Sequence, residues 1–595
     1  MKFKQDYIPV ESNAPMRGLA TTPTSTRLGP EYSPNLLNCV VRDGVVMRRA
    51  GYQKLGRTLV GRVMGITEFG AIGADPYFVV LTSHRQYAYD PSTEDFVDLT
   101  PGQASHAITA VTATKFTVAG DRTALATAGR LIPVIGGANE GVYTIVGSAL
   151  AGPDTEIEVV EPIPSLVVAG AIVFATDWDT DEFAQLDWVA ATDVSGSRLI
   201  VTNGTDTPRT WNGSLASNFA SWAPNYTDFV SCKTLAVFVE HLFMGGIVTT
   251  GGTEPQLIAW SNAGDFDEHL TGTAGEQLLY QLTEIIALKV LGDRLGVYSP
   301  NQIMTGVFVD SPVYFAFEVV IPEGTRLVNG KAISSINVGH VYMSEENIYL
   351  FDGTRGLRVL GEMIYSDYKI RKDFENFHLA TAFNDYAKRT MYFVIPDILG
   401  GSLIYTCEYD VFDLSRVVWA KEKYAHSPRV FGFFVNRDEE LTWDDASWEP
   451  ANMPWEDELG AWVEEAEQLQ FPIRCFGTND GEVFLVTEGV LNDNDATVTQ
   501  LYETMDFSIP ESFQSIIGRW GEIEFEGYGS EVRVSASGDL GRSFSAESTI
   551  ALDSSPATYR VPVDLTSRTL RVHFESDVAF NLRWIRLWVR PGGPR

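Results

Sequence analysis

Cysteine is scarce in this sequence, and its few copies form no recognisable pattern. Cys39, Cys232, Cys407 and Cys475 lie far apart, and no two of them have the CxxC spacing. Disulfide frameworks and zinc sites need cysteines at short, regular spacings. The sequence therefore excludes a disulfide scaffold and a cysteine zinc site, and it suits folding in a reducing cytoplasm.

Long hydrophobic runs are also missing. The longest apolar stretch, at 166–175, is too short to cross the roughly 30 Å apolar layer of a bilayer. The opening residues, MKFKQDYIPVESNAP, lack the apolar segment of a secretory signal peptide. Both observations predict a soluble protein without membrane insertion.

Basic residues are few compared with acidic ones. The chain has 44 Lys and Arg against 78 Asp and Glu, which gives a net charge of −34. Such a surface repels nucleic acid on average and disfavours binding to anionic membranes. The excess fits general solubility, and it fits equally well a negative wall along which DNA slides without being held.

Common catalytic signatures are absent as well. The sequence has no GxxxxGK[ST] phosphate loop, HExxH zinc motif, GxSxG nucleophile elbow or EF-hand loop. Its eight histidines are scattered singly, and we interpret His84, His340 and His426 as structural residues. We therefore predict no catalytic residue, no metal ligand and no cofactor, in a protein that is not an enzyme.

Short strands, by contrast, occur throughout, whereas helical periodicity is rare. The segment 76–100 predicts an apolar strand, an alternating strand QYAYD and a third strand DFVDLT. The segments 285–309 and 338–361 repeat this form. Small antiparallel sheets that recur at such intervals are typical of a β-propeller. We predict an all-β fold that contains a propeller of about six to eight blades.

Two regions depart from this pattern. The Gly-rich segment 105–175 predicts a small β-barrel inserted into an early blade. Beyond about residue 505 the strands alternate strictly, as in an antiparallel sandwich with one buried face. We divide the chain into an N-terminal segment that joins the propeller, the propeller start, the inserted barrel, the propeller continuation and a C-terminal β-sandwich. These parts span residues 1–60, 61–104, 105–175, 176–504 and 505–595.

One short motif predicts a particular turn. The stretch SGDLGRSF matches the Asp-box pattern through Ser537, Asp539, Gly541 and Phe544. In such a turn the Asp accepts backbone hydrogen bonds, the Gly adopts positive φ and the aromatic residue anchors the strand. Sialidases carry repeated copies of this motif, but a single copy indicates a structural role.

Four of the thirteen tryptophans lie in the most acidic stretch, 438–468, which we call the acidic–Trp segment. Its composition fits a disordered tail, a sugar-binding cleft or a docking loop, and the tryptophans offer too much apolar area for disorder. We predict a loop, inserted between propeller strands, that faces a channel or a subunit interface. The candidate residues are Asp438, Glu439, Glu440, Trp443, Asp444, Asp445, Trp448, Trp455, Glu456, Asp457 and Trp462.

A small group of basic residues lies near the N-terminus. Arg42, Arg48, Arg49 and Lys54 are close together for so acidic a chain. Such a group could contact phosphate, but we favour ion pairs within or between subunits. We predict Arg42, Arg48 and Arg49 as candidates for contacts between subunits.

The stretch that holds these residues, SPNLLNCVVRDGVVMRRAGYQKLG, resembles the opening of a group of tailed-phage virion proteins. In that group the pattern N…N…v.dG.l.rRpGy..lg precedes a propeller, and Ala50 stands here where Pro is commoner. LIVTNGTDTPRTWNG, LFMGGIVTTGGTEPQLIAWSNAGDFDEH and the acidic–Trp segment also resemble parts of the group. The group is similar to the tail nozzle (tail tubular protein B) of short-tailed phages and to packaged-DNA stabilisation proteins. The matching residues are Asn35, Asn38, Asp43, Gly44, Arg48, Arg49, Gly51 and Tyr52.

This resemblance implies a structural protein of the phage tail that is assembled in the host cytoplasm. Six copies would form a nozzle or hub ring that retains the genome and conducts it at ejection. Its partners would be the adaptor or head–tail connector, the tail fibres and genomic DNA, which passes through the channel without sequence-specific binding.

Two other functions remain open. A tail-associated glycan-degrading enzyme, similar to a sialidase or depolymerase, would need two carboxylates at a defined separation near aromatic sugar platforms. The acidic–Trp segment offers both residue types, although its acids form one local run. A host-receptor-binding protein is the other alternative.

Overall fold

Antiparallel strands build almost the whole chain in the computed structural model. Strands make up 55% of the residues and helices 3%, which confirms the prediction of an all-β fold. The chain divides into two units. Unit 1 comprises Met1–Gln53, Arg326–Ser427 and Val486–Arg595, and unit 2 comprises Lys54–Thr325 and Pro428–Leu485. The described residues are 7–13, 17–22, 27–42, 44–178, 186–309, 311–410, 417–434, 472–509 and 517–591.

Five short strands begin the chain, and only β3 and β4 pair with each other. The remaining partners come from much later parts of the chain. The strands are β1 (Ile8–Asn13), β2 (Asn35–Leu37), β3 (Cys39–Arg42), β4 (Val45–Arg48) and β5 (Gly51–Leu55).

The first sheet of unit 2 is a four-stranded antiparallel meander in the order β6-β7-β8-β9. Its second strand, YFVVLT, is buried along nearly its whole length, which explains its continuous apolar sequence. The predicted strands of 76–100 correspond to β7, β8 and β9. The four strands are β6 (Val63–Phe69), β7 (Tyr77–Thr82), β8 (Gln86–Asp90) and β9 (Asp95–Asp98).

A closed six-stranded barrel follows, from Ala104 to Phe174, which overlaps the segment 105–175 where the sequence predicts an inserted barrel. Its strands close in the order β10-β11-β14-β13-β12-β15. The core of the barrel contains Phe116 and Tyr143, whose rings meet edge to face at 5.0 Å. The strands are β10 (Ala104–Val111), β11 (Lys115–Val118), β12 (Leu131–Ile135), β13 (Gly141–Ala151), β14 (Asp154–Val159) and β15 (Ala171–Phe174).

Charged hydrogen bonds fasten the barrel to the first sheet. Arg85 is fully buried, and its guanidinium binds Asp98 at 2.9 Å and Asp177 at 2.6 Å. Arg130, in the barrel, binds the same Asp177 at 2.9 Å. Because each carboxylate satisfies a buried guanidinium, this network fixes where the barrel lies against β8 and β9.

Three further four-stranded meanders continue unit 2. Their central strands are again buried, so the apolar runs of the sequence mark them reliably. The first has β16 (Asp187–Asp193), β17 (Gly196–Thr202), β18 (Arg209–Trp211) and β19 (Ala220–Ser221). The second has β20 (Phe229–Phe238), β21 (His241–Thr249), β22 (Gly252–Trp260) and β23 (Gly275–Leu278). The third has β24 (Ala287–Leu291), β25 (Arg294–Tyr298), β26 (Ile303–Phe308) and β27 (Phe315–Ile321).

Unit 1 holds two meanders, with a short helix and two 3₁₀ turns around the connection between them. The 3₁₀ turns are Gly330–Ala332 and Phe377–Leu379, and the helix is α1 (Tyr365–Arg371). The first meander has β28 (Ile333–Ile336), β29 (Gly339–Met343), β30 (Ile348–Phe351) and β31 (Leu357–Val359). The second has β32 (Thr381–Asp385), β33 (Thr390–Pro396), β34 (Ser402–Glu408) and β35 (Val418–Glu422).

The last four-stranded sheet takes one strand from the start of the chain. Its order is β36-β37-β38-β5, so the N-terminal segment 1–60 contributes β5 to this sheet. The three new strands are β36 (Pro428–Phe434), β37 (Ile473–Thr478) and β38 (Val483–Thr487).

The C-terminal strands form two layers in unit 1. One sheet has the order β3-β4-β46-β41-β44, with β1 also paired to β46. The other layer, β39-β45-β42-β43, extends the sheet of β32–β35 through β2, and β40 pairs with β45. The rings of Phe525 and Phe574 meet at 5.4 Å across the layers. The strands are β39 (Gln500–Glu503), β40 (Phe507–Ser508), β41 (Gly518–Gly529), β42 (Glu531–Ser537), β43 (Ser548–Ala551), β44 (Ala557–Ser567), β45 (Thr569–Ser576) and β46 (Phe580–Pro591).

The Asp-box residues form the hairpin turn that the motif predicts. One Asp539 carboxylate oxygen accepts hydrogen bonds from the backbone N–H groups of Arg542 and Ser543. Gly541 has φ +80°, a value that a residue with a Cβ adopts only with strain. The ring of Phe544 contacts His573 at 5.1 Å, so this motif stabilises a turn.

His573 bridges two carboxylates beside this turn. Its Nδ1 lies 3.2 Å from Glu503 and its Nε2 lies 3.1 Å from Glu575. Burial lowers the pKa of His573, but the hydrogen bonds and charges of both carboxylates outweigh this effect and raise it. Arg571 and Arg533 bind the same two carboxylates, so a positive imidazole completes a network in which charges of both signs alternate.

We expect the stabilising effect of His573 to depend on pH. Because folding raises its pKa, the contribution is complete below the unfolded value of about 6.5 and is lost as pH rises through the folded value. His573→Gln should lower the free energy of local opening of β45 by about 1.5 kcal/mol at pH 5.5 and by much less at pH 9. Native-state hydrogen exchange measures this opening.

The control for this prediction is His106→Gln, since burial lowers the pKa of His106. The destabilisation caused by His106→Gln should be no larger at pH 5.5 than at pH 9. An equal loss at both pH values in His573→Gln would mean that the imidazole acts through packing alone.

No helix among the described residues is long and apolar enough to cross a membrane.

Candidate functional site

The acidic–Trp segment cannot be located. All of its candidate residues, from Asp438 to Trp462, lie outside the described residues. Its placement in a channel or at a subunit interface stays a prediction.

The three candidate arginines have different environments. Arg49 is 2% exposed and forms a 2.6 Å ion pair with Asp493 of the same chain. It is therefore not available to a neighbouring subunit, which corrects the prediction for this residue. Arg48 is half-buried, and its Nη1 donates to the backbone oxygen of Asp577. Arg42 remains at the surface, 3.9 Å from Glu488, and its role between subunits stays a prediction.

The burial of Arg49 creates a network at the centre of unit 1. Its Nε donates to Asn38 and its Nη2 to the backbone oxygen of Lys423, while both terminal nitrogens reach Asp493. The guanidinium also lies 4.1 Å from the ring centre of Tyr424. These contacts satisfy every nitrogen of the guanidinium, so Arg49 has a structural role.

A different cluster, in unit 2, brings carboxylates together from two loops. Asp193, Asp265 and Asp267 each place one oxygen within 4.8 Å of the others. Asp193 ends β16 at a hairpin, and the other two lie in the loop that follows β22. We call these three residues the carboxylate cluster.

Local turns position the two loops of the cluster. The N–H of Ser195 donates to the Asp193 side chain at 2.9 Å, which closes the hairpin between β16 and β17. The other loop turns at Gly264, where φ is +69°. A backbone hydrogen bond of 3.0 Å from Val194 to Gly264 joins the two loops. The cluster is therefore fixed by backbone contacts as well as by side chains.

Phe266 anchors the second loop between its two aspartates. Its side chain is 2% exposed and packs in the core that includes Trp222 and Leu242. Its backbone N–H donates to Asp193 at 3.0 Å. One apolar residue thus holds Asp265 and Asp267 beside the hairpin.

Arg198 supplies positive charge to part of the cluster. It binds Asp193, whose side chain is fully buried, and it reaches Asp267 at 2.9 Å. Asp267 also accepts a hydrogen bond of 2.8 Å from the indole of Trp222, and its side chain is 40% exposed. Asp267 is therefore held as an oriented carboxylate with access to solvent.

Asp265 is the least engaged member of the cluster. Its Oδ1 accepts one long hydrogen bond of 3.3 Å, from the N–H of Asp267. In the part of the chain that the structure describes, its carboxylate has no ion-pair partner. Asp265 is therefore held by fewer side-chain contacts than the other two members of the cluster.

Beside Asp267, the indole of Trp222 is part of a small group of rings that includes a buried histidine. His269 is 4% exposed, and the rings of Trp222 and Tyr226 contact it edge on at 6.4 Å and 6.3 Å. Burial lowers the pKa of His269 to about 4, so its imidazole is neutral at neutral pH. Neither of its ring nitrogens has a hydrogen-bond partner within the described residues.

The cluster offers two kinds of chemistry. Three carboxylates could hold a hard cation such as Ca²⁺, which prefers oxygen ligands. Arg198 already provides positive charge to two of them, so the carboxylates are partly compensated without a metal. Paired carboxylates near aromatic rings are also the groups that glycoside hydrolysis uses.

Sequence reasoning missed this site. Asp193 and Asp267 are 74 positions apart, and only the packing of two meanders brings them together. The sequence pattern that could have indicated it is Asp265-Phe266-Asp267, in a loop after a buried strand. An apolar residue between two carboxylates can bury its side chain in the core and so hold both carboxylates in place.

Comparison with known proteins gave matches only among solved structures. No family model matches the chain, and no curated protein matches it. One similar structure is a glycoside hydrolase family 43 arabinoxylan arabinofuranohydrolase from Bacillus subtilis in complex with cellotetraose. The identity is 8%, the match covers 78% of this chain and 96% of that chain, and the TM-score is 0.21.

Two other structures belong to the same class of enzyme. One is described as a glycoside hydrolase, with 9% identity, coverage of 67% of this chain and 96% of that chain, and a TM-score of 0.21. The other is an exo-β-1,3-galactanase from Phanerochaete chrysosporium with galactose, with 9% identity, coverage of 90% and 100%, and a TM-score of 0.17.

These matches correct two predictions made from the sequence. A structural tail-nozzle protein without enzymatic activity was predicted, whereas the similar solved structures are glycoside hydrolases. At TM-scores of 0.17 to 0.21 the likeness does not identify a site, and the residues of this chain must do so.

Proposed function

We propose that this protein is a glycan-degrading enzyme and that it cleaves a glycosidic bond at the carboxylate cluster. The observation that carries the proposal is the convergence of Asp193, Asp265 and Asp267 within 4.8 Å. Asp267 is exposed and oriented, whereas Asp265 has no ion pair among the described residues. Glycoside hydrolysis needs such a division between a fixed carboxylate and one that exchanges a proton.

The roles follow from these environments. Asp267, oriented by Arg198 and the indole of Trp222, attacks the anomeric carbon and displaces the leaving oxygen, and water then displaces Asp267 from the sugar. Asp265 donates a proton to the leaving oxygen and then removes a proton from the incoming water. Asp193 is fully buried against Arg198 and positions that guanidinium.

We propose further that the four-stranded meanders are blades of a β-propeller. Seven consecutive sets of four strands support this proposal, five in unit 2 and two in unit 1. Within unit 2 the first strands of neighbouring sheets contact each other: β16 contacts β20, and β20 contacts β24. Propellers repeat four-stranded sheets in this manner.

We expect hydrolysis with retention of the anomeric configuration. Retaining enzymes place their two carboxyl groups about 5–5.5 Å apart, whereas inverting enzymes need about 6.5–9.5 Å for an intervening water. The cluster, with its oxygens within 4.8 Å, matches the shorter separation. The measurement is the release of reducing ends from a panel of arabinoxylan, β-1,3-galactan and bacterial capsular glycans, followed by proton NMR of the first product anomer.

Two results would contradict the proposal. If purified protein releases no reducing ends from any glycan of the panel, the chain is not a glycan hydrolase of this kind. If the first product has the inverted configuration, the assignment of Asp267 as nucleophile is wrong.

A further inference from the structure

A cavity lies between the first sheet of unit 2 and the barrel. Its volume is about 190 Å³. Arg57, Thr58 and Tyr87 line it from the sheet side, and Pro133, Val134 and Glu140 line it from the barrel side. It therefore uses none of the residues of the carboxylate cluster, and the inserted barrel is needed to form it.

Two of the three charged residues that line the cavity have a partner of opposite charge. Asp98 also lines it, but this carboxylate binds the buried Arg85 at 2.9 Å. Glu140 is exposed and has no ion pair within the described residues, and Arg57 lies 3.8 Å from Asp95, its nearest carboxylate. The charge of Arg57 is thus paired, but no side-chain N–H of Arg57 donates a hydrogen bond among the described residues. These N–H groups can donate to the hydroxyl groups of a ligand, and the Glu140 carboxylate can accept from them.

Two hydroxyl groups add hydrogen-bonding capacity. Tyr87 is 2% exposed, and its oxygen accepts a hydrogen bond of 3.1 Å from the N–H of Val60. Within the described residues its own proton has no acceptor. The Thr58 hydroxyl accepts from Lys54 at 2.7 Å, so its proton can also be donated to a ligand.

The rest of the wall is apolar. Val60, Pro133 and Val134 contribute aliphatic surface, which packs well against the C–H face of a ring. An apolar cavity of about 150 Å³ holds one benzene ring. A cavity of about 190 Å³ therefore accommodates a single six-membered ring with its hydroxyl groups.

We propose that this cavity, which we call the cleft, binds one neutral monosaccharide residue of a glycan. The inference extends the proposed function, on which the choice of a glycan rests, by adding a subsite that takes no part in cleavage. Glu140 accepts hydrogen bonds from sugar hydroxyls, Arg57 and Tyr87 donate to them, and the aliphatic wall contacts the ring. In such a site a small number of polar groups around an apolar wall fixes the orientation of the ligand.

The test measures binding of methyl β-D-galactopyranoside and methyl β-D-glucopyranoside to the full chain by ligand-observed NMR titration. At least one of them should bind, and Glu140→Ala should weaken its affinity about tenfold, because hydrogen bonds to a charged group are lost. Glu158→Ala removes the same charge from an exposed position on barrel strand β14 and should leave the affinity unchanged. Glucosamine and N-acetylneuraminic acid, which carry opposite charges, should bind more weakly.

Each outcome decides one of the two proposals. Tighter binding of a charged sugar, no binding of either methyl glycoside, or equal affinities in Glu140→Ala and the wild type would overturn the cleft. Binding at the cleft without release of reducing ends would overturn the hydrolase and leave the cleft standing. Hydrolysis that is unaffected by Glu140→Ala, together with no sugar binding at the cleft, would overturn the cleft and leave the hydrolase standing.

Discussion

Asp265→Asn is expected to lower the rate of reducing-end release at least about a thousandfold. General acid–base catalysis contributes roughly 10²–10⁴-fold, and an amide can neither protonate the leaving group nor activate the water. The Asn side chain keeps an oxygen that accepts from the N–H of Asp267, which is the one hydrogen bond of the Asp265 side chain among the described residues. The fold should therefore be preserved, and the loss should be in kcat.

The matched control is Asp293→Asn, since the side chain of Asp293 is 93% exposed in the hairpin between β24 and β25. It makes the same chemical change in the same unit and should keep full activity. Added azide, a nucleophile that needs no deprotonation, should restore cleavage of an activated aryl glycoside by Asp265→Asn. An Asp265→Asn variant as active as the control would exclude Asp265 from the chemistry.

Asp493→Ala is expected to destabilise unit 1 by about 3–5 kcal/mol, the usual cost of leaving one partner of a buried ion pair alone. The side chains of Arg49 and Asp493 are 1% and 2% exposed, so water cannot replace the lost carboxylate. The neighbouring Glu422 does not compensate, because burial raises its pKa and its Oε2 already accepts from Tyr424 at 2.9 Å. Chemical denaturation, followed by hydrogen exchange in β33 and β34, measures the change.

The control for this pair is Asp564→Ala in the same unit. Asp564 binds Arg519 at 2.8 Å, with side chains that are 73% and 60% exposed. Exposed pairs contribute about 0–1 kcal/mol, so this variant should be nearly as stable as the wild type. Equal losses in the two variants would show that burial does not set the importance of the Arg49 pair.

Local patterns in the sequence predict much of the fold. The strands of 76–100 follow from the alternation of QYAYD and from the apolar run before it. The Asp box follows from four residues whose hydrogen bonds lie within eight positions. These features depend on contacts between neighbours along the chain, and periodicity reports such contacts directly.

Pairings between distant segments could not be predicted in this way. β5 pairs beside β38, and β1, β3 and β4 join the sheet of β41, β44 and β46, because edge strands with open hydrogen bonds accept any strand of suitable register. From the sequence, the segment 1–60 was therefore described only as joining the propeller, without partners for its individual strands. The carboxylate cluster was not predicted for the same reason, since Arg198 and Asp267 meet only when two meanders pack.

The pairing of the first strands with the last ones constrains how the protein can be made. Val46 of β4 pairs with Leu582 of β46, so more than five hundred residues must leave the ribosome before that contact can form. At about 5–20 residues per second, translation of that interval takes roughly half a minute to two minutes. During this time β3 and β4 can pair with each other, but β1 and β4 still lack β46, the later strand with which they pair. The meanders from β6 to β27 can already close. Chaperones that bind exposed strands should therefore meet this chain at its N-terminus, and a stalled or truncated product would retain those unpaired edges.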